Sequence, residues 1–344
     1  MSTTKPRLIL RADGDERIGL GHVMRLVAFA EIMGDVFTYE FAIQQPSAAV
    51  RAVLESVGLS ILMLPKQPYS TEPAWLAESL LEDPTRIIVL DGYEFDDSYQ
   101  DALKRFGYRL VAVDDLRAWP VVADILINHS PGVTPTMYAA ADSTAFFIGP
   151  TFSLVRRPFL AVAHPPTPPK VIERVLLCFG GADPAGLTAR SLRALASVPH
   201  LTGVGVLTGS SFNDKDALRA AMAATSHLQL RRYDRLGSDE IVELFGCYDA
   251  IICPASTMLI EALLLGRAVV TGYFVENQRH LADFVHDHQQ AYSVGNFIAL
   301  SDEQLARALG RGFGWLTTSP RRAYAPELYH QDLRAAVLKL ATAT

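Results

Sequence analysis

At 344 residues the chain exceeds the size at which one hydrophobic core usually keeps growing, so two domains of about 150 to 200 residues are expected. Its 49% hydrophobic and 20% charged residues match an ordinary globular protein, and no run of about 18 uninterrupted apolar residues offers a membrane span. A net charge of −6 argues against a nucleic-acid backbone as partner, because such binding relies on clustered Lys and Arg.

The N-terminus enters an apolar strand almost at once, without the basic segment and cleavage site of a signal peptide, so a cytoplasmic location is expected. Short aliphatic runs then alternate with amphipathic stretches, the pattern of βαβ units and a parallel sheet. In the first half, strands are predicted at 8–11, 39–43, 61–64, 87–90, 110–113 and 125–128, and helices at 21–33, 48–57, 75–81 and 98–105. Four prolines within 164–170 forbid both a helix interior and a central strand, so a semi-rigid linker is placed there. Beyond it, strands are predicted at 175–179, 204–207, 228–231, 250–253 and 268–271, with helices at 185–196, 214–224, 239–245, 257–265 and 278–287.

Residues 1–163 are therefore expected to form a first Rossmann-like domain, 171–300 a second that binds nucleotide, and 301–344 a helical segment packing back across them. The fold class is α/β, two such domains facing a cleft, with ligands beyond the C-terminal ends of the strands. The three cysteines, Cys178, Cys247 and Cys253, sit in apolar runs without metal-ligand spacing and read as buried thiols in a reducing compartment.

Four loops carry candidate chemistry. The first strand runs into Ala12-Asp-Gly-Asp-Glu-Arg-Ile-Gly-Leu-Gly-His22, where Gly19 and Gly21 permit close approach of the backbone to a ligand. His22 falls in the first turn of the next helix, whose N-terminal partial charge favours the neutral imidazole, the form that acts as a base. A helix-capping turn with an exposed histidine fits the same spacing. Asp13 is placed either to orient His22 or to cap the loop.

The second loop, Cys178-Phe-Gly-Gly-Ala-Asp-Pro184, uncovers main-chain N–H groups at Gly180 and Gly181 and puts Pro184 where a first helical turn accepts it, a setting for an anion. A tight turn capped by Asp183 is the alternative. In the third, Pro254-Ala-Ser-Thr257, Ser256 and Thr257 offer hydroxyls at a helix start. Glu261, one turn on, has a carboxylate suited to two ribose hydroxyls or to a solvent-facing position. In the fourth, Glu276-Asn-Gln278, the amides suit sugar hydroxyls or a cap. Asp114 and Asp115, adjacent in an extended segment, point to opposite faces, so a turn or cap is favoured over a shared carboxylate site, and no metal is expected.

The ordered set Arg11-Ala-Asp13, Ile18-Gly-Leu-Gly-His22 with Met24-Arg25, Asp91-Gly-Tyr93, Asp114-Asp-Leu116, Gly149-Pro150, Leu154-Val-Arg156, Phe179-Gly-Gly-Ala-Asp-Pro184, Pro254-Ala-Ser-Thr257, Glu261-Ala262 and Asn277-Gln278 resembles the PseG family. Those are the UDP-2,4-diacetamido-2,4,6-trideoxy-β-L-altropyranose hydrolases of pseudaminic acid biosynthesis. The resemblance runs from about residue 7 to 290, and the second half more distantly resembles the inverting UDP-GlcNAc transferase of peptidoglycan synthesis.

The resemblance implies a glycosyltransferase-B fold and metal-independent, cofactor-free hydrolysis with inversion, with a small nucleotide sugar as the partner. It implies His22 as the base that activates water, with Asp13, Tyr93 and Asn277 as further catalytic positions. Gly21, Gly180, Gly181, Ser256, Thr257 and Glu261 would hold phosphate and ribose, and Arg25, Arg156 and Gln278 the sugar. Gly92 stands where the family commonly has histidine, a departure that bears on the sugar contacts. An inverting glycosyltransferase on the same scaffold and a non-catalytic nucleotide-sugar binding protein remain open alternatives. A NAD-dependent oxidoreductase is disfavoured, since Gly19-Leu-Gly21 lacks the third glycine.

Overall fold

The computed structural model describes residues 5–14, 20–80, 87–161, 169–209, 212, 214–234, 236–324 and 328–342. Arg17, Ile18 and Gly19 of the first glycine loop and most of the predicted proline-rich linker, 164–168, lie outside them. The chain divides into two compact units, one of residues 1–15, 22–154 and 326–344, the other of 16–21 and 155–325.

The first unit alternates strand and helix through β1 (Arg7–Arg11), α1 (Gly21–Met33), β2 (Thr38–Gln44), α2 (Ala48–Ser56), β3 (Ser60–Leu64), α3 (Glu72–Ser79), β4 (Ile87–Asp91), α4 (Asp97–Arg105) and β5 (Arg109–Val113), and closes its sheet with β6 (Ile125–Asn128) and β7 (Ala145–Ile148). The strands are parallel and ordered β3-β2-β1-β4-β5-β6-β7. Every residue of β4 is buried, as expected of a central parallel strand covered on both faces. Helix starts are set by local chemistry: Ser47 accepts the Val50 N–H at α2, and Asp96 accepts the Tyr99 N–H at α4.

The second unit repeats the plan through α5 (Arg157–Ala161), β8 (Arg174–Leu177), α6 (Leu187–Leu195), β9 (Gly203–Thr208), α7 (Lys215–Ala224), β10 (Gln229–Asp234), α8 (Ser238–Gly246), β11 (Ala250–Ile252), α9 (Thr257–Leu264), β12 (Val269–Tyr273), α10 (Arg279–Asp287), β13 (Tyr292–Asn296) and α11 (Asp302–Thr318). Its parallel sheet has the order β10-β9-β8-β11-β12-β13. One apolar layer centres on Val175, Leu192 and Leu309, the opposite one on Leu176, Phe245 and Leu259. The last helix, α12 (His330–Thr342), belongs to the first unit: Arg109 donates to the Leu340 carbonyl, the Tyr329 N–H to that of Thr151, and His330 Nε2 lies 2.9 Å from that of Ser153.

In each sheet the strand order reverses once, between β1 and β4 and between β8 and β11, as in a Rossmann fold. Two strands escape the sequence pattern. β7 has four residues on a sheet edge, and β13 (Tyr-Ser-Val-Gly-Asn) lacks an apolar period and is held by its register against β12. Cys178 and Cys253 are buried, but Cys247, just past the end of α8, is exposed, so the expectation of three buried thiols holds for two. Among the described residues no helix is long and apolar enough to cross a membrane.

Candidate functional site

Loops leaving the C-terminal ends of β1 and β4 turn in opposite directions, and the crevice they leave is where an open α/β sheet binds its ligand. Four side chains meet there in the first unit. His22, 6% exposed in the first turn of α1, has its Nδ1 2.6 Å from Oδ1 of Asp91, the fully buried last residue of β4. Arg25 lies on the same face of α1 at i+3. Its Nε donates to Asp91 Oδ2 at 2.8 Å, its Nη2 to Oδ1 at 2.5 Å, and its Nη1 to Asp115 Oδ2 at 2.7 Å. Two groups face His22 Nδ1, the acceptor-only Asp91 Oδ1 at 2.6 Å and the donor-only Arg25 Nη2 at 2.9 Å; the closer carboxylate favours Nδ1–H, which leaves the lone pair on Nε2, the arrangement of an oriented general base. The Tyr93 ring stands edge-on to the imidazole, centroids 4.7 Å apart.

Burial alone would raise the Asp115 carboxyl, but the Arg25 cation overrides it and holds the group below its ordinary range. Burial would equally discharge Arg25, and the two aspartates prevent that. His129, which follows β6, feels the same cation: burial first and Arg25 second push its imidazole down to about 4, so the ring is neutral. Its Nδ1 and Asp115 Oδ1 are both sealed from solvent without a hydrogen-bond partner among the described residues.

Asp13 is engaged elsewhere. Arg11 is wholly buried at the end of β1 and draws two counter-charges. Glu72 takes Nε at 2.6 Å and Nη2 at 2.8 Å, and Asp13 takes Nη2 at 2.7 Å. Asp13 also accepts the Gln44 N–H at 2.9 Å and the Tyr69 hydroxyl at 2.8 Å, so it ties the loop root to β2, and the carboxylate that orients His22 is Asp91. Gly92 has a steric reason: a Cβ there would lie 2.9 Å from the ring of Phe95, which is 5% exposed beneath the Arg11 guanidinium. The two adjacent aspartates diverge, as their spacing suggests. Asp114 caps the Leu116 and Arg117 N–H groups and accepts from Tyr138, while Asp115 joins Arg25. Gly21 opens α1, and a Cβ on it would meet open space.

In the second unit the loop after β8 turns at Gly180, whose φ of +84° favours glycine. Helix α6 starts only at Leu187, so Pro184 is not in its first turn. The Asp183 carboxylate takes the Leu187 N–H at 2.9 Å and the Thr188 N–H at 2.7 Å. That helix N-terminus is occupied by an internal anion, which corrects the expectation that α6 offers it to a ligand. The stretch around Gly180 and Gly181 is packed by a glycine that the sequence did not single out: a Cβ on Gly209, just past β9, would sit 2.4 Å from the Gly181 Cα.

Ser256 precedes α9 in extended conformation and makes no side-chain cap, which leaves its hydroxyl and that of Thr257 at an uncapped helix start. Glu261 is 1% exposed, and both its oxygens receive Arg156, Nε at 2.7 Å and Nη2 at 2.6 Å. Arg156 also donates to Ser238 at 3.0 Å and stacks over Phe159. Two residues expected on ribose and sugar are thus paired with each other. The fork uses one lone pair of each Glu261 oxygen, so a ribose would have to take the others. Asn277 and Gln278 occupy the turn after β12, where Gln278 Oε1 accepts the Phe274 N–H at 3.2 Å.

No family model matches the chain. It is 22% identical over 287 residues to an uncharacterized protein of Methanocaldococcus jannaschii, a match spanning 80% of this chain but only 57% of that longer protein. It is 23% identical over 283 residues to the UDP-2,4-diacetamido-2,4,6-trideoxy-β-L-altropyranose hydrolase of Campylobacter jejuni, covering 81% of this chain and 96% of the relative. Among solved structures, Acinetobacter baumannii MurG superposes with a TM-score of 0.60 at 13% identity, over 97% of this chain and 99% of that one. MnaA from S. aureus, solved with UDP, gives 0.62 at 9% identity over 98% of each chain. Anabaena HepE, solved with UDP and glucose, gives 0.62 at 12% identity over 98% of this chain and 97% of that one. The fold is that of the glycosyltransferase-B proteins, and the resemblance to the hydrolase carried by the motifs extends over most of both chains.

Proposed function

We propose that this protein hydrolyses a UDP-linked sugar at its anomeric carbon with inversion, and that the substrate is UDP-2,4-diacetamido-2,4,6-trideoxy-β-L-altropyranose or a close analogue. The observation that carries the reading is the buried His22–Asp91 pair at the reversal of strand order. Asp91 fixes the imidazole, and Nε2 takes a proton from water as its oxygen attacks C1. The bond from C1 to the β-phosphate oxygen breaks with the electron pair leaving on UDP, and the free sugar carries the new hydroxyl. Such base assistance contributes about 10²- to 10⁴-fold. In this reading the second unit holds the nucleotide: the uncapped Ser256–Thr257 helix start and the main chain at Gly180 and Gly181 suit a diphosphate. No metal is invoked, because both carboxylates beside His22 are already ion-paired with Arg25, a cation that would repel one. The likeness to the Campylobacter hydrolase supports the choice of sugar.

The test is incubation of the purified protein with this UDP-sugar and no acceptor, followed by NMR of the released sugar. UDP and one anomer are expected, and His22→Ala should lower turnover by at least about 10²-fold. UDP release only on adding an acceptor would favour a transferase. Binding without turnover, equal in wild type and variant, would favour a binding protein.

A further inference from the structure

A catalytic aspartate with no cation beside it lends its whole negative charge to the imidazole it holds, and that charge stabilises the imidazolium formed when the ring takes a proton. Asp91 has a cation beside it. Arg25 Nε donates to one of its oxygens at 2.8 Å and Nη2 to the other at 2.5 Å, a fork that cancels the charge of the carboxylate on which His22 depends. The same Nη2 stands 2.9 Å from His22 Nδ1, where its N–H competes with Asp91 for that nitrogen. With Arg25 as the only other charge, His22 and Asp91 would make a weak base.

Asp115 changes the sum. It lies just beyond β5, beside the end of β4, and its Oδ2 takes Arg25 Nη1 at 2.7 Å, on the edge of the guanidinium that Asp91 does not use. Neutralising Arg25 does not require it, since the Asp91 fork already does so, and it is kept at a cost: its Oδ1 is sealed from solvent with no donor among the described residues. Arg25 holds it ionised even so. Among the described residues, the ionisable groups gathered at His22 are Arg25 on α1, Asp91 and Tyr93 at the end of β4, Asp115 after β5 and His129 after β6. A phenol brings no charge near neutral pH and the His129 ring is neutral. Two carboxylates therefore face one cation, and one negative charge remains.

Building on the hydrolase reading above, we propose that Asp115 is a positioning residue for the reaction: by engaging Arg25 from its far edge, it leaves the His22–Asp91 pair in a net negative environment. That charge keeps the proton of the neutral ring on Nδ1 and stabilises the imidazolium formed as water attacks. Asp115 acts through Arg25 and Asp91, not on the sugar. Only the guanidinium and its two contacts separate Asp115 from His22 Nδ1, so the two lie within about 8 Å of each other, and at an effective dielectric of about 20 a unit charge at that distance alters proton affinity by about tenfold or more.

Asp115→Asn removes the charge and keeps an oxygen for Arg25, whereas Asp115→Glu keeps the charge. Histidine 15N spectra of the unliganded protein, with the His22 signals identified by their loss in His22→Ala, report which ring nitrogen carries the proton and need no turnover. In Asp115→Asn the proton should move from Nδ1 toward Nε2, the acid limb of the kcat profile should move to lower pH, and the plateau should fall by about tenfold. Asp115→Glu should return all three toward wild type, whatever its urea midpoint, and UDP affinity by calorimetry should match wild type in both. A purely structural carboxylate would lower the urea midpoint of Asp115→Asn and leave the 15N shifts and the limb in place. That result, or a limb moving to higher pH, would overturn the proposal. Should Asp115→Asn not fold, Asp115→Glu decides, since a folded variant that has lost Nδ1 protonation contradicts a role of charge. The expected 15N change in a chain whose wild type releases no UDP from the sugar would overturn hydrolysis and keep the role of Asp115. Turnover by the wild type with 15N shifts unmoved in Asp115→Asn would do the reverse.

Discussion

Replacing Asp91 by Asn tests whether this carboxylate sets the state of His22, because it keeps the volume and removes one acceptor. Asp91 is completely buried and accepts three close contacts, from His22 Nδ1 at 2.6 Å, Arg25 Nη2 at 2.5 Å and Arg25 Nε at 2.8 Å. An amide has one oxygen and a two-donor nitrogen, so one contact must become donor against donor. If the oxygen stays on the Nε side, the NH2 faces His22 Nδ1 and forces the proton onto Nε2, the atom that must accept it. In either orientation the NH2 opposes the guanidinium, at Nη2 in the first and at Nε when the oxygen stays on the His22 side, and a hydrogen bond to a charged group worth about 1.5 to 3 kcal/mol is lost. Both orientations therefore cost stability, and only the first also lowers turnover by about 10²- to 10⁴-fold with UDP affinity unchanged. Initial rates of UDP release, UDP calorimetry and urea unfolding on the same samples separate the two. Turnover within about threefold of wild type, with an unchanged unfolding midpoint, would refute the assigned role of Asp91.

Two further outcomes follow from packing and titration. Gly209→Ala places a Cβ 2.4 Å from the Gly181 Cα, backbone on which no side chain can yield, so the 179–184 loop must move. A drop in UDP affinity of at least about tenfold is expected by calorimetry, and an unchanged dissociation constant would mean that this loop does not hold the diphosphate. His129 titrates near 4 in the folded chain against 6.5 for the free group, so the unfolded state takes up its proton first. Its contribution is complete above pH 6.5 and is lost as pH falls toward 4, up to about 3 kcal/mol. Urea midpoints between pH 7 and 4.5 should therefore fall less in His129→Gln than in wild type, and parallel pH slopes would contradict the assignment.

The sequence by itself determined the two parallel sheets, because central strands buried on both faces must be continuous apolar runs and their helices must alternate with them. α1 and β6 fall at their predicted bounds, and His22, Ser256 and Thr257 are legible at helix starts for the same local reason. β7 and β13 were not legible, since short or polar strands owe their state to a neighbour's register. Only the tertiary structure decided which charges meet. Asp91 lies 69 residues from His22 and Glu261 lies 105 from Arg156, and nothing local to either chain segment specifies the pair. The β1–β4 adjacency brings Asp91 to His22, and burial then requires that each carboxylate find its cation. The sequence therefore named the imidazole, while the carboxylate behind it, the neutral His129 beside it and the acceptor left open on Asp115 exist only once the sheet has set those loops side by side.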